Sequence, residues 1–189
     1  MKRSLITLAL TAAQLAPALA QVDVAKSSVP QGFPSVIVAI SKQMGVPVEG
    51  KFKRFTAQIS FDPAKPAEGK ASVDIDIASF DLGADDFNRE TVKPEWFNAA
   101  KFPRATFVTT AIKPAGPGKF EAAGKLTIKG ITRDVVAPVS FKAEGGQQVF
   151  EGVLPIKRLA FNIGEGEWKD TSTVADDVQI RFRIVTARK

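Results

Sequence analysis

Three stretches of this chain alternate apolar and polar residues without interruption. They are Phe55-Thr56-Ala57-Gln58-Ile59-Ser60-Phe61, Val73-Asp74-Ile75-Asp76-Ile77 and Ile180-Arg181-Phe182-Arg183-Ile184. A period of two sends successive side chains to opposite faces of an extended strand, so each stretch carries one apolar and one polar face. A helix cannot use this pattern, because its own repeat is 3.6. Further strands are predicted over residues 35–41, 103–112, 119–129, 134–142 and 149–161, which makes eight. Between them stand turn-forming groups: Asp62-Pro63-Ala64-Lys65-Pro66, Pro114-Ala115-Gly116-Pro117-Gly118, Gly130 and Gly145-Gly146. Short strands punctuated by such turns predict one all-β domain, a sandwich or an antiparallel barrel, and no internal repeat is evident.

Closing eight strands into a barrel removes exposed edges. Asp74, Asp76, Arg181 and Arg183 share the parity opposite to the apolar residues. In a soluble barrel those charges face water and the apolar side lines the interior; in an outer-membrane barrel the arrangement is reversed. The chain shows no aromatic girdles and ends in Ala187-Arg188-Lys189, which favours the soluble arrangement. An eight-stranded interior is either filled by its own side chains or holds one small ligand. Ala57 between Phe55 and Ile59, and Ala137 between Val135 and Val139, are small residues that could leave a slot. Such a slot would be dry and would suit an elongated apolar guest.

Composition removes several chemistries. The chain has no His, Cys or Tyr, which excludes a Ser-His-Asp triad, thiolate catalysis, disulfides and Cys-ligated zinc. The close carboxylates on predicted loops are Asp85-Asp86 and Glu165/Glu167; a glycan hydrolase using such a pair is the enzymatic alternative, with solvated surface charge as the plainer account. A filled barrel acting as a stress or interaction protein is the third alternative. No enzymatic activity and no catalytic residues are expected, and no metal site.

The N-terminus reads as an export signal. Lys2 and Arg3 precede a largely apolar run, residues 5–15, and Ala18-Leu19-Ala20 offers a small-x-small cleavage site before Gln21. The run is shorter than the about 20 residues a membrane span needs. The expected organisation is a signal peptide over 1–20, a mature domain over 21–189 and a periplasmic location. Losing Lys2 and Arg3 lowers the net charge from +6 to +4. With no basic run beyond Lys51-Phe52-Lys53-Arg54 and no basic–aromatic stripe, nucleic-acid binding is not expected.

Residues 84–101 break the strand pattern. Pro94 suits the first turn of a short helix carrying Trp96 and Phe97, which would cap the barrel. A second aromatic loop, Gly164-Glu165-Gly166-Glu167-Trp168, precedes the last strand.

Five segments in order carry a resemblance to a known family. They are Gly50-Lys51-Phe52-Lys53-Arg54-Phe55 with Ile59-Ser60-Phe61-Asp62-Pro63, then Val73-Asp74-Ile75-Asp76-Ile77-Ala78-Ser79. Next come Trp96-Phe97-Asn98-Ala99-Ala100-Lys101-Phe102-Pro103-Arg104-Ala105-Thr106-Phe107 and Gly124-Lys125-Leu126-Thr127-Ile128-Lys129-Gly130-Ile131-Thr132-Arg133. The chain resembles the YceI family of exported, lipocalin-like lipid-binding proteins from about Val22 onward. The resemblance implies an eight-stranded antiparallel lipocalin-like barrel with a short helical capping segment. It implies binding, transport or sensing of an isoprenoid lipid of quinone or polyprenyl phosphate type, and no cofactor besides that lipid. Phe161-Asn162-Ile163-Gly164-Glu165-Gly166-Glu167-Trp168 is similar to the branch associated with b-type membrane cytochromes, which are an expected partner; a homodimer is also expected. Members often carry histidines that this chain lacks, so their head-group contacts do not transfer.

Under that resemblance the apolar-parity residues become candidate tail contacts: Phe55, Ile59, Val73, Ile75, Ile77, Phe107, Ile128, Val139, Phe141, Phe161, Phe182 and Ile184. Trp96, Phe97 and Trp168 are candidate mouth residues, able to gate a hydrophobic opening if their segments move. Arg89, Lys93 and Arg104 are candidates to meet a phosphate or quinone oxygen, against the plainer account of solvated charge.

Overall fold

The computed structural model describes residues 35–187; the predicted signal peptide over 1–20 lies outside them. Ten strands form one antiparallel sheet: β1 (Val36–Gln43), β2 (Val46–Phe52), β3 (Phe55–Ser60), β4 (Lys70–Asp76), β5 (Phe80–Asp81), β6 (Arg104–Gly116), β7 (Lys119–Ile128), β8 (Ile131–Glu144), β9 (Gln147–Lys157) and β10 (Asp177–Ala187). Helix α1 spans Asp85–Thr91. The strand order is β3-β4-β6-β7-β8-β9-β10-β1-β2-β5.

That order forces the sheet to curl. β2 and β3 stand eight strand spacings apart in it, about 38 Å if the sheet were flat. Only Lys53 and Arg54 join them, and so short a link reaches about 10 Å. The two ends of the sheet therefore meet. Lys53 N–H donates to Ser79 O (3.1 Å) and Asp76 N–H to Arg54 O (3.0 Å), carrying the ladder across the break. The buried Ser79 hydroxyl stitches it further, accepting from Arg54 N–H (3.0 Å) and donating to Asp76 O (2.6 Å). β2 with β3 make one pass around the barrel, and β4 with β5 another. The described residues thus form ten strands where eight are predicted, because two of the passes are each broken into two segments.

β2 and β5 are absent from the strands predicted by periodicity. Pro47 and Gly50 read as strand breakers, and β5 is only two residues long. The fold explains Gly50: a Cβ there would lie 2.2 Å from the Phe80 ring, so the absence of a side chain lets that ring lie against the strand. Other bounds shift modestly. The strand predicted over 149–161 stops at Lys157, because Arg158–Phe161 turn into a 3-10 segment.

Two irregularities shape the wall. A register shift in β6 between Thr109 and Ala111 reverses its alternation, so that Ile112 faces the interior. The β8–β9 ladder covers only Ser140–Glu144 on β8. Beyond it Pro138 and Pro155 lack N–H donors, and Arg133 reaches across to Ala160 O through Nε and Nη2 (3.3 and 3.2 Å). The structure is therefore a curled, barrel-like sheet whose wall is incompletely laddered on one side.

The helix lies earlier than the sequence suggests. It ends at Thr91, before Pro94, and Trp96 and Phe97 sit in the turns that follow. Asp85 and Asp86 occupy its first turn, where the helix dipole favours negative charge. Apolar parity faces inward: Phe52, Leu126, Phe150, Leu154 and Ile184 belong to one core. The outer face carries ion pairs such as Lys125–Asp134 (2.9 Å) and Lys157–Asp177 (2.7 Å). That polarity is the reverse of a lipid-facing barrel.

Candidate functional site

The barrel interior is not solid. A lower chamber of about 130 Å³ lies among β1, β3, β4, β6, β7, β8, β9 and β10. Small residues make the room: Ala71, Ala122 and Ala137 face into it. Thr109 is the one polar residue in the lining among the described residues, and its hydroxyl is occupied by the Ala71 backbone, accepting from N–H (2.8 Å) and donating to O (3.2 Å). The described lining thus offers no free polar group, and a chamber so lined would be dry without an apolar guest. Phe61, Phe120 and Phe150 bound it at one end. Phe61 stands edge-on to Phe120 and Phe150, at centroid distances of 4.9 and 5.7 Å.

An upper chamber of about 300 Å³ lies between β1, β2, the α1 region and the loops before β10. Ile180 lines both chambers and stands at their junction. Trp96 and Trp168 form one wall, with ring centroids 5.4 Å apart. Phe52, Phe80 and Phe97 pack together behind it, with Phe52–Phe80 centroids at 4.7 Å and Phe80–Phe97 at 5.4 Å. The two tryptophan segments are tied to each other: Gly164 and Glu165 N–H both donate to Glu95 O (2.9 and 2.8 Å).

The upper chamber is organised around Arg158, which is only 2% exposed. Its five N–H groups all end on backbone carbonyls. Nε donates to Ala175 O (3.1 Å), Nη1 to Ile163 O and Gly164 O (2.8 and 3.0 Å), and Nη2 to Trp168 O and Val174 O (2.6 and 2.7 Å). Burial pulls its pKa below the ordinary arginine value, and the nearby Asp176 carboxylate opposes that. One side chain thereby fixes the loop that carries Trp168, and the Glu95 carbonyl ties the Trp96 segment to it.

The other charges are committed to partners. Lys129 Nζ donates to Asn162 O and to Glu165, each at 2.7 Å. That ammonium holds the Glu165 carboxyl below the usual carboxylate range. A glycosidase general acid needs the opposite shift, so Glu165 does not suit the acid role of the hydrolase alternative. Lys93 binds Glu90 (2.5 Å), Arg89 binds Asp86, and Arg104 binds Asp74. Arg89, Lys93 and Arg104 line neither chamber, so the structure does not bring them to a head group. Among the described residues, no group of three or more Asp or Glu is placed to hold a metal ion.

Of the candidate contacts, Ile59, Val73, Ile75, Phe107, Val139, Phe182 and Ile184 line the lower chamber. Trp96, Phe97, Ile128 and Trp168 line the upper one. Phe55, Ile77, Phe141 and Phe161 line neither. Ile77 and Phe161 belong to 3-10 segments and fill the core, and Phe141 packs behind the aromatic floor against Phe61 and Phe150. Parity alone could not separate these residues from true lining. It also missed Arg158, which reads as one more surface cation, and Ile112, which lies beyond the register shift. Ile180 belongs to an alternating strand and was available to parity.

A curled antiparallel sheet around an apolar chamber, with a partly polar chamber next to it, defines a lipocalin-like fold. The chain belongs to the YceI family: the model of the YceI-like domain matches residues 21–186. A UPF0312 protein of Ectopseudomonas mendocina (strain ymp) is 32% identical over 146 residues, covering 74% of each chain. The crystal structure of Burkholderia cenocepacia BcnA superposes with a TM-score of 0.80 at 56% identity, covering 81% of this chain and 96% of that one. A polyisoprenoid binding domain from Saccharophagus degradans, implicated in plant cell wall breakdown, shares the fold with a TM-score of 0.64 at 15% identity, covering 82% of this chain and 94% of that one.

Proposed function

We propose that the protein binds an isoprenoid lipid of quinone or polyprenyl phosphate type in the periplasm, as a carrier or sensor rather than an enzyme. The carrying observation is the lower chamber, lined by apolar side chains and by one hydroxyl already closed off by backbone. Such a cavity recognises a tail by shape, and each 100 Å² of tail withdrawn from water contributes about 2.5 kcal/mol. Ile180 marks the path from the upper chamber to the lower chamber and is the side chain a through-going tail displaces. The S. degradans domain that shares the fold is described as polyisoprenoid binding, which supports this class of tail. The cation–apolar–Ala18-Leu19-Ala20 pattern of the N-terminus supports export. On the same reading a b-type membrane cytochrome delivers or receives the lipid.

Mass spectrometry of an organic extract of protein purified without heat or detergent tests the proposal. A prenylated molecule at near-stoichiometric level is expected. A lipid-free protein that also takes up no prenyl quinone or prenyl phosphate from vesicles refutes it.

A further inference from the structure

Exposed apolar side chains gather where the upper chamber meets solvent. Phe87 on α1 lines the chamber and is still 62% exposed, so its ring lies at the opening. Val46 is 63% exposed and shares the strand parity of Val48, which lines the same chamber; its ladder partner Gln43 lines it too. Met44, beside it at the tip of the β1–β2 hairpin, is 75% exposed. Apolar residues exposed together mark a contact surface.

Nothing local favours Met44. With Gly45 it forms a two-residue hairpin turn whose φ angles are both positive, 47° and 81°. Asn-Gly fills such a turn with least strain, because Asn tolerates the left-handed backbone better than Met does. So exposed a side chain recovers little of that cost inside the chain, and a contact outside it accounts for the residue.

Charge selects the occupant. Residues 85–95 carry four carboxylates against Arg89 and Lys93, and residues 165–170 carry three against Lys169. Both segments border the chamber, through Phe87 and Glu90 on one and Trp168 on the other. Arg158 inside is faced by Asp176. Even after Lys42 on the hairpin and Lys129, which binds Glu165, the rim keeps an acidic excess on a chain whose net charge is +6. An anionic bilayer does not suit this rim, since membrane-surface segments combine apolar side chains with Lys and Arg. A second copy docked opening to opening would set acid against acid. A protein face with Lys and Arg around an apolar centre complements both features.

We infer that the opening of the upper chamber docks on a basic, apolar-centred face of a partner protein, and that lipid passes between the two there. This rests on the lipid-binding proposal and names the surface at which its lipid is exchanged.

The test measures the rate of prenyl quinone uptake from three vesicle surfaces: phosphatidylcholine alone, phosphatidylcholine with phosphatidylglycerol, and phosphatidylcholine carrying a lipid-anchored peptide of lysine and leucine. Uptake is expected to be fastest from the peptide surface and slowest from the anionic one, about tenfold apart at low salt. High salt is expected to remove the difference. Met44→Asn suits the left-handed backbone and keeps the fold; it is expected to slow uptake from the peptide surface about fivefold without changing the amount of quinone bound at equilibrium. Asp85→Asn with Glu167→Gln is expected to slow it about threefold, again at unchanged capacity. Faster uptake from the anionic surface puts a bilayer at the opening instead. A wild-type dimer in sedimentation that Met44→Asn turns into a monomer puts a second copy there. Either result, or equal rates from all three surfaces, overturns the inference while leaving lipid binding intact. No quinone uptake from any surface, and none of prenyl phosphate, refutes both.

Discussion

Replacing Arg158 tests whether one buried cation holds the mouth together. Its five hydrogen bonds run from 2.6 to 3.1 Å and join Ile163, Gly164, Trp168, Val174 and Ala175. A hydrogen bond to a charged group contributes about 1.5–3 kcal/mol alone, but bonds in one network do not add. Breaking a buried charged network costs about 3–5 kcal/mol, and Arg158→Met is expected to lose about 4 kcal/mol. Swapping a buried ion pair for apolar groups is sometimes neutral, because both charges leave together. Here the acceptors are backbone carbonyls that no substitution removes, so the loss stands. Arg158→Lys keeps the charge, but its ammonium has three donors in a different geometry, so at least two carbonyls are orphaned and about 2 kcal/mol is lost. Urea unfolding measures both, and for a domain of this size the Met variant should melt about 10 °C lower. Lysine equal to arginine, or methionine within about 1 kcal/mol of wild type, would refute the network account.

Ile180→Phe places a ring at the junction of the two chambers. It should cost about 1–3 kcal/mol in stability yet abolish co-purification of a long-tailed lipid; undiminished lipid content in extracts would contradict the through-passage. At Gly152 an added Cβ would lie 2.1 Å from the Pro138 carbonyl oxygen and 2.6 Å from the Phe182 ring. Gly152→Ala should therefore lower stability by about 2 kcal/mol or more, and a wild-type urea midpoint would show that β8 and β9 part freely there. Asp81 is held at about 2, against 3.8 for an ordinary aspartate, by Lys53 first and then by Asn88 and Gly83 N–H. Its folded pKa is depressed, so its contribution to stability is complete above about pH 4 and is lost as pH falls toward 2. Asp81→Asn should flatten the urea midpoint between pH 2 and pH 4 relative to wild type, and titration of Asp81 near 4 by NMR would remove the basis for this.

Legibility followed the range of the interactions. The alternation of Val73, Ile75, Ile180, Phe182 and Ile184 was readable because a strand's faces are set by its own residues, and all five line the lower chamber. β2 was hidden because the reason for Gly50, the Phe80 ring, lies 30 residues away in sequence. The helix fell before Pro94 rather than after it. Trp96 and Phe97 are instead placed by turn hydrogen bonds, including Phe97 N–H to Thr91 O (3.0 Å) and Ala99 N–H to Val92 O (3.0 Å). Phe55 and Phe141 share the parity of lining residues yet line no chamber, since parity names a face and not what stands before it.

Local chemistry in the chain determined that it would form strands, which side of each would be greasy, and where the turns would fall. Whether that greasy side would fill itself or leave room was decided in three dimensions. Three alanines from β4, β7 and β8 line one chamber, and Arg158 gathers carbonyls from residues five to 17 positions further on. Packing depends on which side chains face each other across the closed sheet, and no single segment carries that information.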